Sequence, residues 1–175
     1  LLKKAKNHPF LYLRTTQKQA DIVSKPETHP FKALEADGEV PMLTTKPVAK
    51  DLTGVYEAEI EDETDKILAI GNPLCYIAAL STFSNLRGLS FEEIEYVLYD
   101  EFIEETTSRK TIKNAGMSLL QLYETINRNR EIKKPPRAPL KMYLLANAND
   151  IANDIFIELG LVKKAEEMIR ERQTI

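Results

Sequence analysis

The chain has 175 residues, enough to bury one real core. Its 24 basic and 27 acidic side chains leave a net charge of −3, which excludes a protein that coats nucleic acid over its whole surface but not one that touches it through a few local groups. The one cysteine, Cys75, sits in an apolar run and has no internal disulfide partner; it reads as a small buried hydrophobe. No apolar run approaches the roughly 18–20 residues of a membrane span, and none has the pattern of a signal peptide.

The chain lacks an initiator Met and opens in a helical pattern, LLKKAKN, so it reads as a piece of a longer protein. Pro9–Arg14 (PFLYLR) is a short apolar run that predicts a buried strand ending in a charge. Thr15–Ser24 follows as a helix, and the two prolines of Lys25–Pro30 break it. Between Phe31 and Asp51, Asp37-Gly38 marks a turn, and Pro41 and Pro47 argue against any long regular element. Gly54–Ile60 alternates apolar and polar as a half-buried strand should. Glu61–Asp65 is an acidic turn and Lys66–Ile70 a returning strand, so the pair predicts a hairpin. After a Gly71-Asn72-Pro73 turn, Cys75–Ser81 predicts a further buried strand, and Asn85–Phe91 a loop.

Ile94–Tyr99 is an apolar run interrupted only by Glu95, and it ends in Asp100-Glu101. A polar loop over Thr106–Lys110 precedes Ile112–Asn127, whose apolar residues recur with helical period. Lys133–Pro139 is a basic, proline-rich loop, Lys141–Ala146 another short buried strand, and Ile151–Leu159 and Val162–Arg172 two helices separated by Gly160. Short apolar strands alternating with helices predict an α/β fold with a mostly parallel sheet covered on both faces, the hairpin being inserted at one edge.

In an open parallel sheet, ligands gather at the carboxyl ends of the strands. Three predicted strands end in polar groups: at Arg14, at Asp100-Glu101 and at Asn147. Two adjacent acids at the end of an apolar strand suit phosphoryl transfer, where one carboxylate orients a magnesium shell and the next orients the attacking water. The plainer reading is two solvated acids at the start of a loop. Arg128 and Arg130 follow the long helix; each reads either as a group that stabilises charge on a transferred phosphoryl, or as a cation favoured by the helix dipole. Asn147 and Asn149 read as phosphate-sensing groups or as a helix cap. Lys133, Lys134 and Arg137 read as DNA-phosphate contacts or as a solvated loop. His8 and His29 have no metal-type ligand near them in sequence. No GxxxxGK[ST] phosphate loop occurs anywhere in the chain.

Four segments together resemble the DNA-encapsidation ATPases of small podoviruses of the Picovirinae type, relatives of the large terminases. They are IGNPLCYIAALSTFSNLRGLSF, IEYVLYDEFIEE, SLLQLYETINRNRE and MYLLANANDI, in the family's order and at similar spacing; FLYLRTT fits the family's second strand more loosely. The resemblance implies an ASCE-type P-loop ATPase core, using ATP and Mg2+ to drive double-stranded DNA into a capsid. Asp100 then matches the Walker B acid, which holds Mg2+ through water, and Glu101 the catalytic glutamate. Arg128 matches the arginine offered in trans, with Arg130 as the alternative; Asn147 and Arg14 fall where nucleotide sensing or coupling is expected. The implied partners are DNA, the capsid portal, other copies in a homo-oligomeric ring and, as in some relatives, a packaging RNA. The implied location is the bacterial host cytoplasm, transiently on the procapsid. On this resemblance residues 1–175 form a single ATPase domain, with the phosphate loop expected upstream of Leu1 and a nuclease-like domain expected after Ile175. The competing reading is a non-catalytic assembly or nucleic-acid-binding protein whose nucleotide site has decayed.

Overall fold

The structure is a computed structural model that describes residues 2, 5, 8–62, 64–103, 112–146 and 153–171. Its centre is β1 (Phe10–Arg14), five consecutive buried residues. β1 pairs in parallel with β4 (Lys66–Ala79) on one side and β5 (Tyr96–Asp100) on the other. β6 (Lys141–Leu145) adds in parallel outside β5. On the far side, β3 (Leu52–Glu61) and β2 (Leu43–Ala49) join antiparallel, giving the order β2-β3-β4-β1-β5-β6. The sequence's α/β expectation, mostly parallel with an antiparallel insertion at one edge, describes this sheet.

Residues alternate between its faces, as strand geometry requires. Leu11 and Leu13 face a core with Val97, Tyr99, Leu119, Leu122, Ile126 and Phe156. Phe10 and Tyr12 face a second core with Ala20, Phe31, Val55, Cys75 and Ile77. The first core is covered by α3 (Ala115–Asn127), α4 (Asp154–Glu158) and α5 (Val162–Arg170). α1 (Gln17–Val23) lies over the second, opened by a capping box between Thr16 and Gln19. α2 (Lys32–Ala36) is a short helix in the segment where no long regular element was expected. α3 and α4 meet at Gly116, where an added Cβ would sit 2.7 Å from the Asp154 carbonyl oxygen, so only glycine permits the contact.

Four expectations are corrected. Pro47 does not break its segment: it lies inside β2, which forms the sheet edge, and a missing N–H is tolerated on an edge strand. Gly71-Asn72-Pro73 does not separate two strands. β4 runs through it, with Ile70 opposite Glu57 and Cys75 opposite Val55, so the extra residues form a bulge and Gly71 supplies the required φ of 67°. Asn85–Phe91 is not loop throughout, because a 3-10 helix spans Leu80–Leu86 and buries Leu80, Phe83 and Leu86. Finally, β6 is not buried. As an edge strand it leaves Lys141, Tyr143 and Leu145 exposed and packs only Met142 and Leu144 on the core. The loop expected at Thr106–Lys110 lies outside the described residues.

His29 is fully enclosed; its Nδ1 accepts the Phe31 N–H at 3.3 Å and its Nε2 lies 3.3 Å from Glu35. Burial holds its pKa below the ordinary 6.5, with Glu35 opposing that shift and Lys32 reinforcing it. The folded chain therefore takes up this proton less readily than the unfolded chain. Stability is complete above about pH 6.5 and falls as pH drops from there toward the lower folded pKa. Urea midpoints measured from pH 7.5 to 5.5 should decline in the wild-type chain and decline less in His29→Asn, which keeps an acceptor for Phe31 but has no imidazole. Equal pH slopes would remove His29 as the cause.

Candidate active site

β1 occupies the position where the chain turns from building one side of the sheet to building the other, and the carboxyl ends of β1 and β5 lie side by side. Leu13 pairs with Tyr99, which sets Arg14 next to Asp100. Tyr12, Arg14 and Asp100 are all even-numbered, so they share one face of the sheet. Asp100 is the last residue of β5; Glu101 follows at a φ of 51°, turning the chain out of the strand.

The side chains converge. Arg14 Nη1 donates to Asp100 Oδ2 at 2.9 Å, and Nη2 donates to Glu101 Oε2. Tyr12 Oη donates to the same Asp100 Oδ2. Thr15 Oγ1 lies 3.0 Å from Tyr99 Oη and donates to the Glu101 carbonyl at 3.4 Å. One guanidinium thus bridges both acids. The Arg14 side chain is 11% exposed, against 32% for Asp100 and 63% for Glu101, so the carboxylates are open to a ligand while the cation is not. Burial alone would lower the Arg14 pKa, but Tyr12, Glu101 and Asp100 outweigh it and raise it, so the guanidinium stays charged. Burial and the Asp100 contact raise the Tyr12 phenol, keeping it a donor.

Sequence reasoning singled out Arg14, Asp100 and Glu101, and the structure brings all three together. It missed Tyr12, which reads as one more apolar residue inside FLYLR; its even spacing from Arg14 on one strand was the available signal.

Among the described residues, no group of three or more His, Cys, Asp or Glu side chains could hold a metal ion. The acids fit a different role. Magnesium is characteristically held by one or two carboxylates together with substrate phosphates and water, and adjacent carboxylates at a strand end suit that arrangement.

The arginines after α3 lie elsewhere. α3 connects parallel strands, so it runs back from the carboxyl end of β5 to the amino end of β6. There Asn127 Oδ1 accepts the Leu140 N–H at 3.0 Å. Arg128 caps α3 at this end, donating to the carbonyls of Thr125 at 3.1 Å and Leu89 at 3.1 Å. Five strand residues, about 16 Å, separate this end from Asp100. Arg130 is buried at 4% exposure and donates to the Ile126 carbonyl at 3.1 Å, a geometry that ties off the helix terminus and does not present the group outward. Burial and the nearby Arg137 lower its pKa. Lys133, Lys134 and Arg137 line a cleft of about 330 Å3 with Arg128 and Arg130. Lys133 pairs with Glu92 at 3.3 Å, and Arg137 donates to the Glu92 carbonyl at 2.6 Å. Asn147 lies outside the described residues. No helix among the described residues is long and apolar enough to cross a membrane.

Because Arg14 joins two strands through half-buried, charge-assisted hydrogen bonds, Arg14→Met should cost about 1–3 kcal/mol in urea unfolding, near the lower end because Glu101 is largely exposed. An unchanged midpoint would mean the bridge contributes nothing in solution.

No family model matches the sequence, and no curated protein matches it. Three solved structures share the fold. The crystal structure of the N-terminal domain of the DNA packaging ATPase from bacteriophage phi29 superposes with a TM-score of 0.60 at 21% identity, covering 89% of this chain and 66% of that one. The Phi-28 gp11 DNA packaging motor gives 0.61 at 22% identity, covering 91% and 44%. The bacteriophage Phi-29 viral genome packaging motor assembly gives 0.60 at 20% identity, covering 87% and 38%. The chain spans less than two thirds of the length of each. It has the fold of a phage DNA packaging ATPase's N-terminal domain.

Proposed function

We propose that this chain is the hydrolytic body of an ATP-driven motor that moves viral double-stranded DNA into a preformed capsid. The observation that carries the reading is the pair of carboxylates at the carboxyl end of β5, bridged by the buried Arg14 of the neighbouring strand. The shared fold with phage packaging ATPases supports the same reading.

Asp100 and Glu101 divide the chemistry. Asp100 would hold the hydration shell of a magnesium–nucleotide complex, which when bound would supply charge neutralisation on the phosphate oxygens. Glu101 orients the attacking water. Arg14 holds Glu101, so orienting a water requires the glutamate to leave that contact.

The phosphate cradle belongs to a strand–loop–helix segment outside these residues. Among the described residues β6 leaves a parallel edge open to it, with Tyr143 and Leu145 bare on the adjoining face and Leu2 and Ala5 packed on that same side of the sheet. Arg128 lies at the opposite end of the sheet from the acids of its own chain. It therefore serves the acids of a neighbouring copy, which requires a ring. Grip on DNA is through phosphate contacts, since a motor accepts any sequence, and Lys133, Lys134 and Arg137 are candidates for it. The capsid portal and a packaging RNA are the further partners of such a ring, assembled on the procapsid in the host cytoplasm.

In the full-length protein, Glu101→Gln should bind ATP normally and reduce turnover by at least about a hundredfold, the order for losing a positioned catalytic group. Normal turnover would remove Glu101 from the mechanism. Mixing Arg128→Ala subunits with Glu101→Gln subunits should restore part of the ATPase rate, because some interfaces then pair an intact Arg128 with an intact Glu101. If every mixture stays at the level of the single variants, Arg128 does not act in trans.

A further inference from the structure

We infer that Tyr12 is a positioning residue for the metal-side carboxylate: its hydroxyl pins Oδ2 of Asp100 and leaves Oδ1 for the water shell of a magnesium–nucleotide complex. The inference rests on the reading of Asp100 given above and adds a residue that neither the sequence motifs nor the fold assigns.

Three observations support it. Tyr12 is 4% exposed, and its ring meets Phe31 edge-on at 6.1 Å with an interplanar angle of 79°. A ring held this way puts its hydroxyl at one place. That hydroxyl and Arg14 Nη1 both donate to Oδ2, and no described residue donates to Oδ1. The Asp100 side chain is nevertheless 32% exposed, so its other oxygen has access to solvent.

The division of labour between Tyr12 and Arg14 follows from what each touches. Arg14 reaches both acids, so its hold on Asp100 is linked to its hold on Glu101. When Glu101 leaves to meet water, the guanidinium is free to move. Tyr12 reaches only the metal-side acid, and its donor stays fixed while Arg14 rearranges. Packing gives no reason for the hydroxyl: phenylalanine would fill the same space among Phe10, Phe31 and Ile77 without a buried polar group to satisfy.

The test uses full-length protein carrying Glu101→Gln, so that ATP is held without turnover, and titrates Mn2+ by electron paramagnetic resonance. Adding Tyr12→Phe should weaken Mn2+ binding about tenfold, the order for loss of an outer-shell partner. Metal-free ATP binding should change by less than about twofold, and the urea midpoint should shift by less than about 0.5 M. In the otherwise wild-type enzyme, Tyr12→Phe should raise the Mg2+ concentration for half-maximal hydrolysis, with the rate recovered at high Mg2+. Asp100→Asn in the Glu101→Gln background separates the two possible failures. If Asp100→Asn leaves Mn2+ binding intact, the reading of Asp100 is wrong. If it weakens Mn2+ binding while Tyr12→Phe does not, Tyr12 has no positioning role. Equal loss of metal-free ATP binding in Tyr12→Phe would show a merely structural effect and overturn the inference as well.

Discussion

The bridge from Arg14 to Asp100 and Glu101 is the interaction on which the rest depends. Two carboxylates on consecutive residues repel each other, and a single strand has no means of holding both. The parallel register of β1 and β5 solves this by placing a guanidinium beside them from the neighbouring strand. Burying that cation is costly unless it is paired, so β1 can bury Arg14 only because β5 ends where it does. The sheet order, the alternation within FLYLR and the turn at Glu101 all serve one juxtaposition: a buried cation under two accessible acids.

The same topology separates two kinds of arginine. Arg14 sits at the carboxyl end of the sheet, with the acids of its own chain. Arg128 and Arg130 sit at the amino end, because a helix connecting parallel strands must run back along them. Arg130 is spent on the α3 terminus. Arg128 is held on the carbonyls of Thr125 and Leu89, beside a cationic cleft. A group so placed cannot reach the acids of its own chain, so the trans role proposed for it needs a neighbouring copy.

What was legible in the sequence was whatever period and chain order control. Five buried residues in β1, the apolar run ending in Asp100-Glu101 and the helical spacing before Asn127 all became the expected elements. What failed was local punctuation read without its tertiary setting. Pro47 looks like a breaker until β2 is known to be an edge, and Gly71-Asn72-Pro73 looks like a turn until a bulge absorbs it. β6 looks buried because KMYLLA is apolar, yet no strand covers its outer side among the described residues. In the site, Arg14 and both acids were visible as charges ending apolar strands. Tyr12 was not, because a tyrosine within an apolar strand is indistinguishable from core until its hydroxyl is seen on Asp100. Arg130 was misleading for the opposite reason: its charge suggested an exposed group, and its carbonyl partners show a buried one.

The central claim is that nucleotide binds at the carboxyl ends of β1 and β5 and takes Glu101 off Arg14. Its most direct test is a structure of the full-length protein with Mg2+ and a non-hydrolysable ATP analogue. The terminal phosphate should lie above Asp100, with Glu101 released from the guanidinium and turned toward a water in line with that phosphate. A nucleotide bound at the amino end of the sheet, or Glu101 still held by Arg14 with no water within its reach, would contradict it.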